Sequence, residues 1–219
     1  MNHNDTEKQN VAQGNTEERV VLTPRDPSKI ADMEFRHRID LKDAVIPYGV
    51  TSIGCQAFEG CTGLTTIEIP ASVTSIGMGA FQGCTGLTTI EIPDGVTDID
   101  WYAFSGCTGL TTIEIPDSVT DIGGGAFECC TSLTTIDIPD GVYDIRDRTF
   151  AHCTSLTTIE IPDYACIGDY AFAHCTGLTT IEIPPTVSYI GEDAFLCVPN
   201  IIYRGPATSY NDWGALGRL

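Results

Sequence analysis

A 23-residue unit, written again and again with little drift, constrains this chain more than anything else in it. The word Cys-Thr-Gly-Leu-Thr-Thr-Ile-Glu-Ile-Pro opens identically at Cys61, Cys84 and Cys107. Prolines keep the beat at Pro47, Pro70, Pro93, Pro116, Pro139 and Pro162, and Pro184 follows after one step of 22 residues. A unit this short cannot bury an apolar face alone. Copies must stack, and the core then grows along one axis instead of around one centre.

Six-residue stretches beginning at Leu41, Leu64, Leu87, Leu110, Leu133, Leu156, Leu178 and Ile201 define eight coils. Inside one of them Leu64, Ile67 and Ile69 are apolar while Thr66 and Glu68 alternate with the two isoleucines, the period-two pattern of a strand with one buried face. Pro70 ends that strand because it has no N–H to offer a ladder. A second apolar pair follows in most coils, such as Val73/Ile76 and Val96/Ile99, and predicts a second, shorter parallel strand. Then comes Ile-Gly-x-x-Ala-Phe, with phenylalanines at 58, 81, 104, 127, 150, 172 and 195. Its glycine predicts a backbone at positive φ. Phe58 and Cys61, three residues apart, predict a short helical turn packed inward.

These residues carry a family resemblance. The pattern Leu-x-x-Ile-x-Ile-Pro-x-x-Val-x-x-Ile-Gly-x-x-Ala-Phe-x-x-Cys resembles the BspA-type leucine-rich repeat over residues 41–205. The ending, Ile202-Tyr-Arg-Gly-Pro and Tyr210-Asn-Asp-Trp213, is similar to the segment that closes many such arrays, although the order Asn-Asp-Trp departs from it. The resemblance implies a right-handed repeat solenoid of leucine-rich-repeat type, with parallel strands on a concave face. It also implies an adhesin-like surface or secreted protein that binds other proteins and carries no catalytic residues. The expected organisation is a disordered polar tail at 1–19, an N-terminal cap at 20–40, the solenoid at 41–205 and a C-terminal cap at 206–219.

Charge narrows the partners. The chain holds 30 Asp and Glu against 11 Lys and Arg, a formal charge of -19. Residues 41–205 hold 21 of those acids and four bases: Lys42, Arg146, Arg148 and Arg204. Such a body repels nucleic-acid phosphates and anionic lipid, and suits a basic protein or a divalent ion. No apolar run reaches the roughly 18 residues that suggest a membrane span, so no membrane insertion is expected. The first residues show no basic region followed by an apolar stretch, so no secretory signal is visible. Compartment therefore stays open between the family's surface location and this missing signal.

Stacking turns each repeat position into a column with steps of about 4.8 Å. Glu68, Glu91, Glu114, Asp137, Glu160 and Glu182 form an outward acid column, flanked by Thr66, Thr89, Thr112, Thr135, Thr158 and Thr180. This strip is either a solvated face of like charge or a docking surface for a basic partner; calcium bridging is a third reading that lacks the carbonyl ligands calcium favours. Cys61, Cys84, Cys107, Cys130, Cys153 and Cys175 form a core column, expected as reduced structural thiols because parallel inward side chains do not present disulfide geometry. The residue before each reads Gly60, Gly83 and Gly106, then Cys129, His152 and His174, and Cys197 follows before Val198, which takes the cysteine's place in the next coil. A metal there would need Cys129, His152 and His174 together; drift at a permissive turn is the alternative. The pair Trp101 and Tyr102 occupies a variable turn position and is a candidate secondary contact.

Enzyme chemistry has little footing. No nucleophile lies beside His152 or His174 with an orienting acid at a defined spacing. Gly77-Met-Gly79 and Gly123-Gly-Gly125 lack the setting of a dinucleotide loop, so no cofactor is expected. The expectation is a non-enzymatic recognition or adhesion module that uses the acid strip to bind a basic or matrix-type protein. The alternative is a structural spacer or a divalent-cation-binding solenoid.

Overall fold

The computed structural model describes residues 19–203. The polar tail before Arg19 and the proposed C-terminal cap with Trp213 lie outside the described residues. Most coils contribute two short strands and one long turn, and equivalent residues of successive coils lie side by side in parallel register.

One wall is built from β1 (Val20–Val21), β3 (Asp43–Val45), β5 (Thr66–Glu68), β7 (Thr89–Glu91), β9 (Thr112–Glu114), β13 (Ile181–Ile183) and β15 (Ile201–Tyr203). The second uses β2 (Lys29–Ile30), β4 (Ser52–Ile53), β6 (Ser75–Ile76), β8 (Asp98–Ile99), β10 (Asp121–Ile122), β11 (Asp144–Ile145), β12 (Cys166–Ile167) and β14 (Tyr189–Ile190). Every strand pairing is parallel, so the sequence-derived solenoid with two strands per coil is correct. Residues 20–40 join both walls, with Val20 opposite Ala44 and Ile30 opposite Ile53.

The walls are interrupted at different places. The first wall groups as β1-β3-β5, β7-β9 and β13-β15, with Thr135 and Thr158 continuing from Thr112 by single bridges. The second runs unbroken from β2 to β10 and resumes at β11. Between the walls the core is a set of columns: Leu64, Ile67, Val73, Ile76, Phe58 and Cys61 are buried almost completely, as are their repeats apart from the partly buried Phe35, Ile159 and Ile190. The phenylalanines stack from Phe35 to Phe195, centroids 5.2 to 5.6 Å apart and planes within 12°. Parallel rings at that separation are offset, the arrangement that the ring quadrupole favours.

The expected helical turn is absent: among the described residues no helix forms, and the segment is a third hydrogen-bonded wall. In coil 56–61 the amides of Gln56, Phe58 and Gly60 donate to the carbonyls of Met78, Ala80 and Gln82 in the next coil, at 2.7 to 2.8 Å. The intervening amides of Ala57, Glu59 and Cys61 donate three residues back within the turn, to Gly54, Gln56 and Phe58. A helix sends every amide back along its own chain. Here alternate amides turn outward because two residues per turn are left-handed, Gln56 at φ 54° and Gly60 at φ 68°.

The glycine of Ile-Gly is not among them, which corrects the φ expectation. Its reason is close approach: a Cβ on Gly54 would lie 2.7 Å from the Asp32 amide nitrogen and 2.8 Å from the Ala31 carbonyl carbon. Arg146 fills that position with φ outside the left-handed region, and its preceding coil offers Gly123 and Gly124.

Candidate functional site

The first wall brings the predicted acid column together. Glu91 and Glu114 stand in register on β7 and β9, as do their neighbours Thr89 and Thr112. Glu68, Glu91, Glu114, Asp137, Glu160 and Glu182 are all exposed, while the alternating isoleucines face the core. The local cause is the strand pleat: Ile90 and Ile92 bury, so Glu91 between them must point out. At about 5 Å, two such charges repel by roughly 0.8 kcal/mol in water, which long solvated side chains relieve by splaying.

Among the described residues, one base reaches this column. Arg19 donates to Glu68 at 3.0 Å, and both side chains are more than half exposed, so the pair adds little stability. Thr66 is also engaged, donating to the Asp43 carboxylate. Thr89, Thr112, Thr135, Thr158 and Thr180 are exposed beside the acids. The first threonine of several Thr-Thr pairs is structural: the Thr111, Thr134 and Thr157 hydroxyls donate to the carbonyls of Thr88, Thr111 and Thr134 at 3.2 Å.

Sequence reading missed a second acid rank. Asp94, Asp117, Asp140 and Asp163, each directly after the proline that ends a strand stretch, are all exposed. The signal was available, since these four obey the same 23-residue period. On the second wall Asp98, Asp121 and Asp144 line the outward positions. There Arg146 donates to both carboxylate oxygens of Asp121, at 3.0 and 3.2 Å, and its guanidinium lies 6.0 Å from the Trp101 ring centre.

The same neighbourhood gives Trp101 and Tyr102 a packing role. They precede the Gly123-Gly-Gly125 run by one coil, and a Cβ on Gly124 would sit 2.6 Å from the Trp101 ring. Two large rings therefore occupy the space that two glycines leave. Trp101 still keeps 40% of its surface exposed, between shallow grooves of about 260 and 400 Å³ on the second wall.

The remaining columns resolve by hydrogen bonding and conformation. All ten cysteines are free thiols. Each column thiol donates to the phenylalanine carbonyl one coil back, from Cys61 to Phe35 through Cys175 to Phe150, at 3.0 to 3.2 Å. That carbonyl already accepts the amide three residues on in its own coil, Arg38 for Phe35 and the column cysteine for the others, so the thiol fills its second lone pair while filling a small core volume. Burial pushes these thiols up, Cys175 to about 12 and Cys107, Cys130 and Cys153 well above their ordinary value, because the core does not solvate a thiolate.

The Gly-to-Cys/His column is the left-handed position: Gly83 and Gly106 lie at φ 69° and 72°, Cys129 at 61°, His152 at 62° and His174 at 61°. His152 and His174 stack face to face, centroids 4.6 Å apart. Among the described residues, no three His, Cys, Asp or Glu side chains converge as a metal site, so Cys129, His152 and His174 are neighbours without a shared ligand geometry. Nor is any described helix long and apolar enough to cross a membrane.

The repeat matches the family model for the BspA type leucine rich repeat region, in 6 copies over residues 28–157 and 144–204. Among solved structures it is similar to a leucine-rich repeat protein of T. pallidum, at 32% identity and TM-score 0.70, covering 73% of this chain and 77% of that one. It is also similar to a leucine-rich cell surface protein of Faecalibacterium prausnitzii, at 30% identity and TM-score 0.52. There it covers 82% of this chain and 64% of that one, so it spans less than two thirds of that longer protein. No curated protein sequence matches it.

Proposed function

The chain belongs to the BspA-type leucine-rich repeat family, and from that premise we propose that it is a non-enzymatic recognition module whose first wall docks a basic protein surface. Leucine-rich repeat proteins supply protein-binding and adhesion modules; the acid strip gives this one its chemical preference. The observation that carries the reading is the in-register exposure of Glu91 and Glu114, continued by Asp137 and Glu160, beside threonine hydroxyls that the fold leaves to solvent.

A partner's lysines and arginines would relieve acid–acid repulsion that water and salt otherwise screen. Such a gain acts mainly on encounter rate and on partner choice. Thr89 and Thr112 add neutral hydrogen-bonding groups that set register along the strip. The second rank, Asp94 to Asp163, extends the same sign of potential past the strand ends. One neighbour is a cell surface protein, and an adhesion role for this chain would set the acid strip against basic extracellular protein.

The test is a titration of the purified protein with a basic protein ligand such as lysozyme, and then with candidate matrix proteins, at two salt concentrations. Binding should weaken about tenfold or more when Glu91→Gln, Glu114→Gln and Asp137→Asn are combined, and should weaken again with added salt. Affinity unchanged by the triple substitution removes the strip as the docking surface. Calcium-dependent melting without protein binding would instead favour a cation-binding spacer.

A further inference from the structure

The two ends of the ring column are finished differently. Phe195, the last ring, is completely buried, as are Val198 and the ring before it. Phe35, the first ring, is stacked on Phe58 at 5.4 Å but is only half-buried, and among the described residues no ring lies on its other face. Val20 tells the same story. It stands in register with Ala44, and through Ala44 with Ile67, both core positions that are at most 5% exposed, yet Val20 is 47% exposed.

The opening is local. The edge of the second wall is protected, because the chain doubles back between Asp26 and Lys29 in an antiparallel bridge and Ile30 is fully buried. β1 is the outermost strand of the first wall and, among the described residues, carries no such cover. Exposed Ile39, at 68%, adds apolar surface on the turn that follows Phe35. Unpaired edges beside apolar surface are templates for another chain.

Charge says what kind of chain. Residues 19–40 hold five bases and four acids, whereas residues 41–203 hold 21 acids and three bases. The first coil is the one part of the described body that a second acidic copy can approach without strong repulsion. A head-to-tail stack is disfavoured, because among the described residues the last ring, Phe195, is fully buried and offers no open face to receive it. We propose that this end is an interface with a second copy of the chain. The contact is first coil to first coil about a two-fold axis, with the two β1 edges antiparallel and the acid bodies pointing away from each other. Such a contact is isologous and closes at a dimer. It does not rest on the acid strip, which both copies leave free.

Sedimentation velocity of the full chain over a wide concentration range tests this. The expected result is a monomer–dimer equilibrium with no larger species. Val20→Asp should weaken it at least tenfold with far-ultraviolet dichroism and melting temperature retained, and Ile39→Asp should weaken it less. A monomer at every concentration, open-ended polymers, or a dimer indifferent to Val20→Asp overturns the proposal. Should Val20→Asp fail to fold, amide exchange of the unaltered protein decides. Amides of residues 20–22 and 35–39 should slow as concentration rises. Exchange independent of concentration, including protection already complete in dilute protein by the chain's own residues 1–18, overturns it equally.

Discussion

The turn wall and the acid-bearing strand wall face the same physical problem, how to bind one coil to the next, and solve it unequally. The turn wall sends three amides per coil to the following coil and backs them with a ring stack and a thiol column, and it runs without a gap through the 22-residue step, where Phe150 still donates to Ala171 at 2.8 Å. The strand wall is interrupted after β5 and again before β13. Its outward side carries like charges and hydroxyls. Cohesion and display are thus assigned to different sides of one coil, so the display side can vary without loosening the stack.

The sharpest way to break that contrast is a pair of truncations one coil position apart in kind. Phe104→Ala removes a ring stacked on both neighbours and fully buried. It should cost about 3–5 kcal/mol in urea unfolding. Because each coil touches only its neighbours, it should also split the transition into two steps. Glu114→Ala should stay within about 0.5 kcal/mol. Equal costs would mean the strand wall holds the stack after all.

Alkaline pH should attack the turn wall alone. The column thiols are raised in the folded chain from an ordinary value of 9.0, Cys175 to about 12. Below pH 9 both states keep the proton and the contribution is whole. Above it the unfolded chain releases protons that the folded chain retains, so stability falls as pH rises toward the folded value, by about 1.4 kcal/mol per pH unit for each buried thiol. Melting temperature should be level to about pH 8.5 and then drop steeply. Cys107→Val with Cys130→Val, copying Val198, should flatten the drop. An unaltered slope in that variant assigns the loss to other groups.

Gly83→Ala tests the left-handed position by itself. Its Cβ would meet nothing closer than 3.9 Å, so only the φ of 69° resists it, and the cost should be about 1 kcal/mol by thermal melting. A much larger loss would point to a contact in place of backbone strain. Smallest is the display side: Glu91→Gln with Glu114→Gln should raise stability by a few tenths of a kcal/mol at low salt and by less at high salt. A loss of stability there would show the acids to be paired with something inside the molecule.

Much of the fold was legible because a strict period needs no long-range inference. Leu64, Ile67, Ile69, Val73 and Ile76 announce two strands by spacing, and repetition announces that they stack. The acid and threonine columns followed from the pleat alone. The turn was misread because Phe58 and Cys61 share a spacing with a helix, while the alternation of amide direction that forbids a helix leaves no mark on side-chain type: Gln56, Tyr102 and Arg148 all adopt positive φ where no glycine advertised it. Gly54 was misread for the converse reason, as a backbone signal when its cause is a neighbouring coil. The Arg19–Glu68 pair spans 49 residues and no periodicity points to it.

By itself, then, the order of residues determined the repeat, the two strands, the buried columns and the sign of the exposed strip, because each depends only on position within one unit. What lies between units was decided in three dimensions: which carbonyl a cysteine thiol finds, which glycines leave room for Trp101 and Tyr102, and which end of the ring column stays open. Those depend on distances between copies, and a translation along the axis brings together atoms that lie about a whole repeat apart in the chain.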